Sequence, residues 1–186
     1  MHTLPPNSIN DQERRTSSLA RLQQTLLLVG VASGLAWVWW SWPRSLTAML
    51  AGTALMTLGY AVILGIETVA AATVNRTDGA QRASAAEWLG AWWQEVKVAP
   101  EVFAWRQPFR WRQWPDTTRA PPASPPAVVL VHGFFCNRGF WLPWMERMRE
   151  LGLPYVSVNL EPVFGSIDDY VPHVECAVQA AEALGG

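Results

Sequence analysis

Half of the 186 residues are hydrophobic and only 16% are charged, a low charged share for a soluble protein of this size. The net charge of -1 gives no sign of nucleic acid as a partner. Two distant cysteines, Cys136 and Cys176, without a Cys-x-x-Cys or Cys/His cluster, argue against a zinc site or a disulfide framework, and no metal or cofactor is expected. Twelve tryptophans are the anomaly, most of them between Trp37 and Trp114. Tryptophan is enriched where a ring sits half in apolar and half in wet surroundings, as at a membrane interface.

Residues 1–21 are polar, with Pro5-Pro6, Arg14, Arg15 and Arg21, and read as a mostly disordered basic tail. Residues 22–43 carry no charge and are long enough to cross a bilayer as a helix. Trp37, Trp39, Trp40 and Trp42 crowd its end, where an aromatic belt belongs. After the Pro43-Arg44 break, residues 45–66 form a second uncharged run that stops at Glu67. Gly52, Gly59 and Gly65 suit close packing of helices in lipid. Two other readings exist: a pair of buried soluble helices, or a signal peptide cleaved near Gly34-Leu35-Ala36. The apolar run continues well past that point, against cleavage.

Basic residues set the expected orientation. Arg14, Arg15 and Arg21 precede the first span, only Arg44 lies between the spans, and Arg76, Arg82 and Lys97 follow the second. Two spans with both termini cytoplasmic result, in the inner (plasma) membrane, with the lipid bilayer as a partner.

Residues 67–126 read as an amphipathic, Trp-rich connector and a Pro-rich linker. Ser84 with Glu87 predicts a capping box, and Trp88, Leu89, Trp92, Trp93 and Val96 share one face, suited to a membrane surface or to ordinary core packing. "FRWRQW" alternates like a short edge strand, and "PDTTRAPPASPP", residues 115–126, reads as a linker or loop.

From residue 127 the pattern becomes α/β. Ala127–Val131 predicts a buried strand, residues 140–151 a helix ending at Gly152, and residues 154–160 a second strand. Asp168 or Asp169 can cap a last helix reaching about Leu184. Strand-helix-strand-helix with short connections predicts parallel strands in an open α/β sheet. Ligands sit at the carboxyl ends of such strands, and His132 to Phe135 lies at one. Gly133 is permitted backbone conformations closed to other residues, and the amides after it can turn outward together. Paired amides of this kind stabilise a developing oxyanion by roughly 3–4 kcal/mol each.

"VVLVHGFFCNRGFW" followed by "LGLPYVSVNLEPVFGSIDDYVPHVE" resembles the N-terminal part of a bacterial α/β-hydrolase of the lipase/esterase type. The resemblance covers residues 127–186 and implies a partial α/β-hydrolase fold preceded by two transmembrane helices. It implies that the backbone N–H of Phe134, with Phe135 as second choice, helps form an oxyanion hole for an ester or acyl substrate. It also implies that His132 and Gly133 shape the loop, and that Asn137 and Arg138 shape the pocket mouth. The family's Gly-x-Ser-x-Gly nucleophile motif occurs nowhere in the chain, nor do the later acid and histidine. The polypeptide therefore reads as the front part of a hydrolase, inactive as it stands: a truncated product, an incomplete gene model or a designed fragment. Cys136, Ser166, Asp168, Asp169 and His173 have simpler structural explanations than catalysis. The alternatives are a two-span integral membrane protein, a transporter component or scaffold without catalytic activity, and an inert fragment.

Overall fold

The computed structural model describes residues 17–75, 82–120 and 125–184. The chain is mostly helical and carries a single two-stranded sheet among the described residues. It divides into two units, residues 26–101 and residues 17–25 with 102–184. Arg14, Arg15 and Arg76 lie outside the described residues.

Helices α1 (Ser18–Ser41) and α2 (Leu46–Val74) are each long and apolar enough to cross a membrane, and only 6% of each apolar window is buried. Leu28, Leu35, Leu55 and Ile66 are exposed along them. Exposed apolar surface on this scale marks a contact with lipid or protein. In the first unit Trp37 donates from its indole N–H to the Met49 carbonyl, 3.3 Å away. Gly52 is required there, because a Cβ at that position would lie 2.3 Å from the Trp37 ring. Ser45 caps α2 by accepting the Ala48 N–H. The helix runs two turns beyond Ile66, the limit expected from charge, because Glu67 is followed by the strong helix formers Ala70, Ala71 and Ala72.

Helix α3 (Ala85–Glu101) begins with the expected capping box: the Ser84 N–H donates to Glu87 at 2.7 Å, and the Glu87 N–H donates to Ser84 Oγ at 3.3 Å. Its apolar face divides. Trp92 and Val96 meet α2, while Leu89 and Trp93 stay exposed.

The second unit places α1's start where a disordered tail was expected. Leu19 and Ala20 are buried, Ser17 accepts the Ala20 N–H, and the Glu161 carboxylate accepts both the Ser18 N–H and its hydroxyl. An anion at a helix N-terminus is favoured by the unpaired amides and dipole there. Residues 102–110 form a π-helical segment rather than the start of an edge strand. Two glutamines from α1 bond to it: Gln24 donates to the Pro108 carbonyl at 2.7 Å and Gln23 to Gln107 Oε1 at 3.3 Å.

Strands β1 (Val128–Leu130) and β2 (Tyr155–Ser157) pair in parallel, with Val129 opposite Val156. Alternate residues face opposite sides, as a pleated strand requires. Leu130 and Val128 pack with Tyr155, Met145, Met148 and Leu142 of α4 (Leu142–Glu150). Val129 and Val156 pack with Val158, Ala177, Ala180 and Ala181 of α5 (Ile167–Glu182). The result is a small helix-sheet-helix sandwich. Gly152 ends α4 with φ +66°, as its residue type anticipated. Ser166, not an aspartate, caps α5; Asp169 closes the capping box from the third helical position.

The expected linker also differs. Its first residues lie along the outer edge of β2, where Thr117 donates its N–H to the Tyr155 carbonyl and accepts the Tyr155 N–H on its hydroxyl. Asp116 is buried there; composition alone marked it as loop, but backbone donors at a sheet edge need acceptors.

Candidate functional site

The carboxyl end of β1 runs through Val131 into a turn at Phe134–Phe135. Phe135 takes the left-handed conformation, with φ 55°. Only a minority of non-glycine residues do so, at a cost of about 1–3 kcal/mol, and they cluster at functional sites. Freedom was expected at Gly133 instead, yet among the described glycines only Gly152 has a positive φ, and a Cβ at Gly133 would meet open space. The strained residue is two positions further on, where a turn of this kind needs a positive φ. Among the described residues no acceptor pairs with the N–H of Phe134 or Phe135. Both donors are left for solvent or a ligand.

His132 fastens the turn. It is buried, its Nε2 accepts the Leu160 N–H at 3.0 Å, and its Nδ1 lies 2.9 Å from the Gly133 carbonyl. A backbone N–H can only donate, so Nε2 is the unprotonated nitrogen and Nδ1 carries the hydrogen. Both ring nitrogens are thereby engaged, and the side chain ties the end of β1 to the residue beyond β2. Burial pushes its pKa below the ordinary value; the Gly133 carbonyl and the Glu161 charge oppose that shift. The sign of the linkage follows. The unfolded chain binds the proton more readily, so this contribution is complete above the unfolded value of 6.5 and is lost as pH falls toward the lowered folded value. Hydrogen-exchange protection of the Leu160 amide, corrected for intrinsic rates, should hold above that value and decline below it; a profile flat across the acid range contradicts this role.

Asn137 and Arg138 lie behind the turn rather than at the pocket mouth, because both are almost wholly buried against other segments. Asn137 donates from Nδ2 to the Gln107 carbonyl at 2.9 Å, accepts the Gly139 N–H at 2.9 Å, and gives its own N–H to Gln107 Oε1 at 3.2 Å. Arg138 places Nη2 2.7 Å from Asp116 Oδ1 and 2.8 Å from the Trp114 carbonyl, and its N–H donates to Asn159 Oδ1. The same Asp116 oxygen accepts the Ser157 N–H at 3.0 Å and its hydroxyl at 2.6 Å. Gln107 and Asp116 are thus positioning residues that sequence reasoning did not single out. Gly139 permits the close approach: a Cβ there would lie 2.9 Å from both the Arg106 carbonyl oxygen and Gln107 Cα. Gly139→Ala should destabilise the unit by about 1–3 kcal/mol, the usual range for overpacking, measurable as a matching loss of hydrogen-exchange protection at the amides of β2.

A cavity of about 620 Å³ opens beside the turn. Val131, Phe134, Phe135, Leu160 and Val163 give it an apolar lining, joined by Ile167, Tyr170, Val171 and Val174 of α5, and Glu175 is the one carboxylate among its described lining residues. Its size and lining suit a small, largely apolar ligand. The rings of Phe134 and Phe135, which line the cavity, cluster with that of Phe164 at centroid distances of 6.1–6.4 Å, and Phe134 is 77% exposed. Cys136 also lines the cavity. Burial raises its thiol pKa, against a smaller opposing effect of a hydrogen bond with Gln107, so it stays protonated near neutrality and is a poor nucleophile.

The geometry therefore defines an apolar cavity with two free backbone donors at the carboxyl end of a parallel strand. Compared with protein-family models, curated proteins and solved structures, the chain returns no match.

Proposed function

We propose that residues 127–184 form the front of an α/β-hydrolase of the lipase/esterase type, anchored in a bacterial inner membrane by α1 and α2 with both termini cytoplasmic. One observation carries the reading: the unpaired Phe134 and Phe135 amides stand beside an apolar cavity at the end of β1. The chemistry is carboxylic ester hydrolysis by acyl transfer. A serine attacks the ester carbonyl, a histidine takes its proton, an acid orients the histidine, and the amides receive the negative oxygen. His132 is not that histidine, since both its nitrogens are engaged. The serine would belong to a Gly-x-Ser-x-Gly motif that these 186 residues do not contain.

Labelling with a fluorophosphonate probe tests the reading. The 186-residue chain should remain unlabelled, and the product of the native reading frame, continued past Gly186 through a Gly-x-Ser-x-Gly motif, should be labelled. Labelling of the short chain contradicts the absence of the nucleophile. A native stop codon directly after Gly186 contradicts the hydrolase reading itself.

A further inference from the structure

Within residues 26–101, α3 is fastened beside the last part of α2's uncharged stretch. The Trp92 indole N–H donates to the Ala61 carbonyl at 2.9 Å, and its ring lies against Gly65, where a Cβ would be 3.4 Å from the indole nitrogen. Tyr60 donates its hydroxyl to the Val96 carbonyl at 2.8 Å. Pro100 explains the second bond. It lacks the N–H that would satisfy the Val96 carbonyl inside a helix, so Tyr60 supplies the missing donor. These contacts fix α3 alongside residues 60–65, just before Glu67, the first charge of α2. At 1.5 Å per residue, Tyr60 lies about 10 Å inward from that charge. An amphipathic helix lying in a membrane interface sinks about 5–10 Å into the headgroup–acyl boundary.

Around α3, Leu89 and Trp93 follow Trp92 and Val96 in the same apolar arc, at about 100° per residue. They are not covered: Leu89 is 63% and Trp93 53% exposed. Glu87, Gln94, Glu95 and Glu101 occupy the other arc, which keeps this helix out of the acyl core. Two side chains one turn apart fall far short of the roughly 800 Å² per partner that a stable protein interface buries. An indole at this depth has its apolar body in acyl chains and its N–H in the headgroup layer. We propose that α3 is an interfacial helix whose Leu89–Trp93 face is seated in phospholipid at the end of α2. The inference rests on reading α1 and α2 as membrane spans.

Site-directed spin labelling of the full chain in phosphatidylcholine/phosphatidylglycerol vesicles tests it, in a Cys136→Ser, Cys176→Ser background. Labels go in turn at Leu89→Cys, Trp93→Cys, Glu95→Cys and Leu55→Cys. Labels at 89 and 93 should collide with oxygen rather than with a water-soluble nickel chelate, at a depth of about 5–10 Å below the phosphates, and the label at 95 should favour nickel. Labels at 89 and 93 as open to nickel as the one at 95 overturn the proposal. Dipolar broadening between copies at 89 and 93 also overturns it, by assigning the face to a second chain. The label at 55 separates the two readings: if it too is open to nickel, the spanning assignment has failed; if it lies in the acyl core while 93 is in water, only the interfacial assignment has.

Discussion

On the proposed hydrolase reading, Phe134→Pro in an esterase-active form of the protein should lower kcat for ester substrates by about 10²–10³, the loss that follows removal of one oxyanion donor. Phe134 is the first central residue of the turn that leads into the left-handed Phe135, a position where proline is well tolerated. The substitution therefore deletes the N–H while the turn survives. Phe134→Ala provides the control, since it removes the exposed ring and keeps the donor; it should act mainly on KM through the apolar mouth. Steady-state kinetics on a soluble short-chain ester reads both. Equal loss of kcat in the two variants would assign the effect to the ring and contradict the role of the amide.

Asp116→Ala should destabilise the unit formed by residues 17–25 and 102–184 by about 3–5 kcal/mol, the usual cost of removing one partner of a buried ion pair. Arg138 is 4% and Asp116 5% exposed at their side chains, so solvent cannot replace the lost carboxylate. The Ser157 N–H and hydroxyl lose their acceptor together with the guanidinium. Hydrogen exchange is the suitable measurement, because the chain has two units and a single unfolding free energy is not defined for it. The Ser157 amide should lose most of its protection, whereas the amides of α2 should keep theirs. An unchanged Ser157 amide would show that the pair contributes little to holding β2. Replacing both partners with apolar residues should cost less than removing Asp116 alone, since no buried charge is then left without its partner.

What the sequence made legible is what is local. The β-branched run before His132, the Ser84–Glu87 pair and Gly152 each act within a few residues, and the strand, the capping box and the helix end follow from side-chain chemistry alone. Parallel pairing of β1 with β2 follows from the intervening helix and short connections. What remained hidden is what depends on distant partners. Asp116 accepts from Ser157, 41 residues away, and Gln107 holds Asn137 across 30 residues; no spacing in the chain announces either. Composition alone therefore points to a linker at Asp116, and the hydrolase resemblance points to the pocket mouth for Asn137 and Arg138. The left-handed Phe135 was hidden for a different reason: residue type favours glycine for that conformation, and Gly133 stood close by.

The Phe134 and Phe135 amides themselves provide the most direct measurement. The 186-residue chain, ¹⁵N-labelled and reconstituted in lipid nanodiscs, is titrated with a medium-chain fatty acid whose carboxylate mimics the oxyanion and whose tail matches the cavity. Both amide signals should move downfield together and saturate, while Phe140, whose N–H already donates to the Asn137 carbonyl at 2.9 Å, stays in place. Saturable binding that shifts the residues of α5 but leaves the Phe134 and Phe135 amides unmoved would contradict an oxyanion-binding turn at the end of β1.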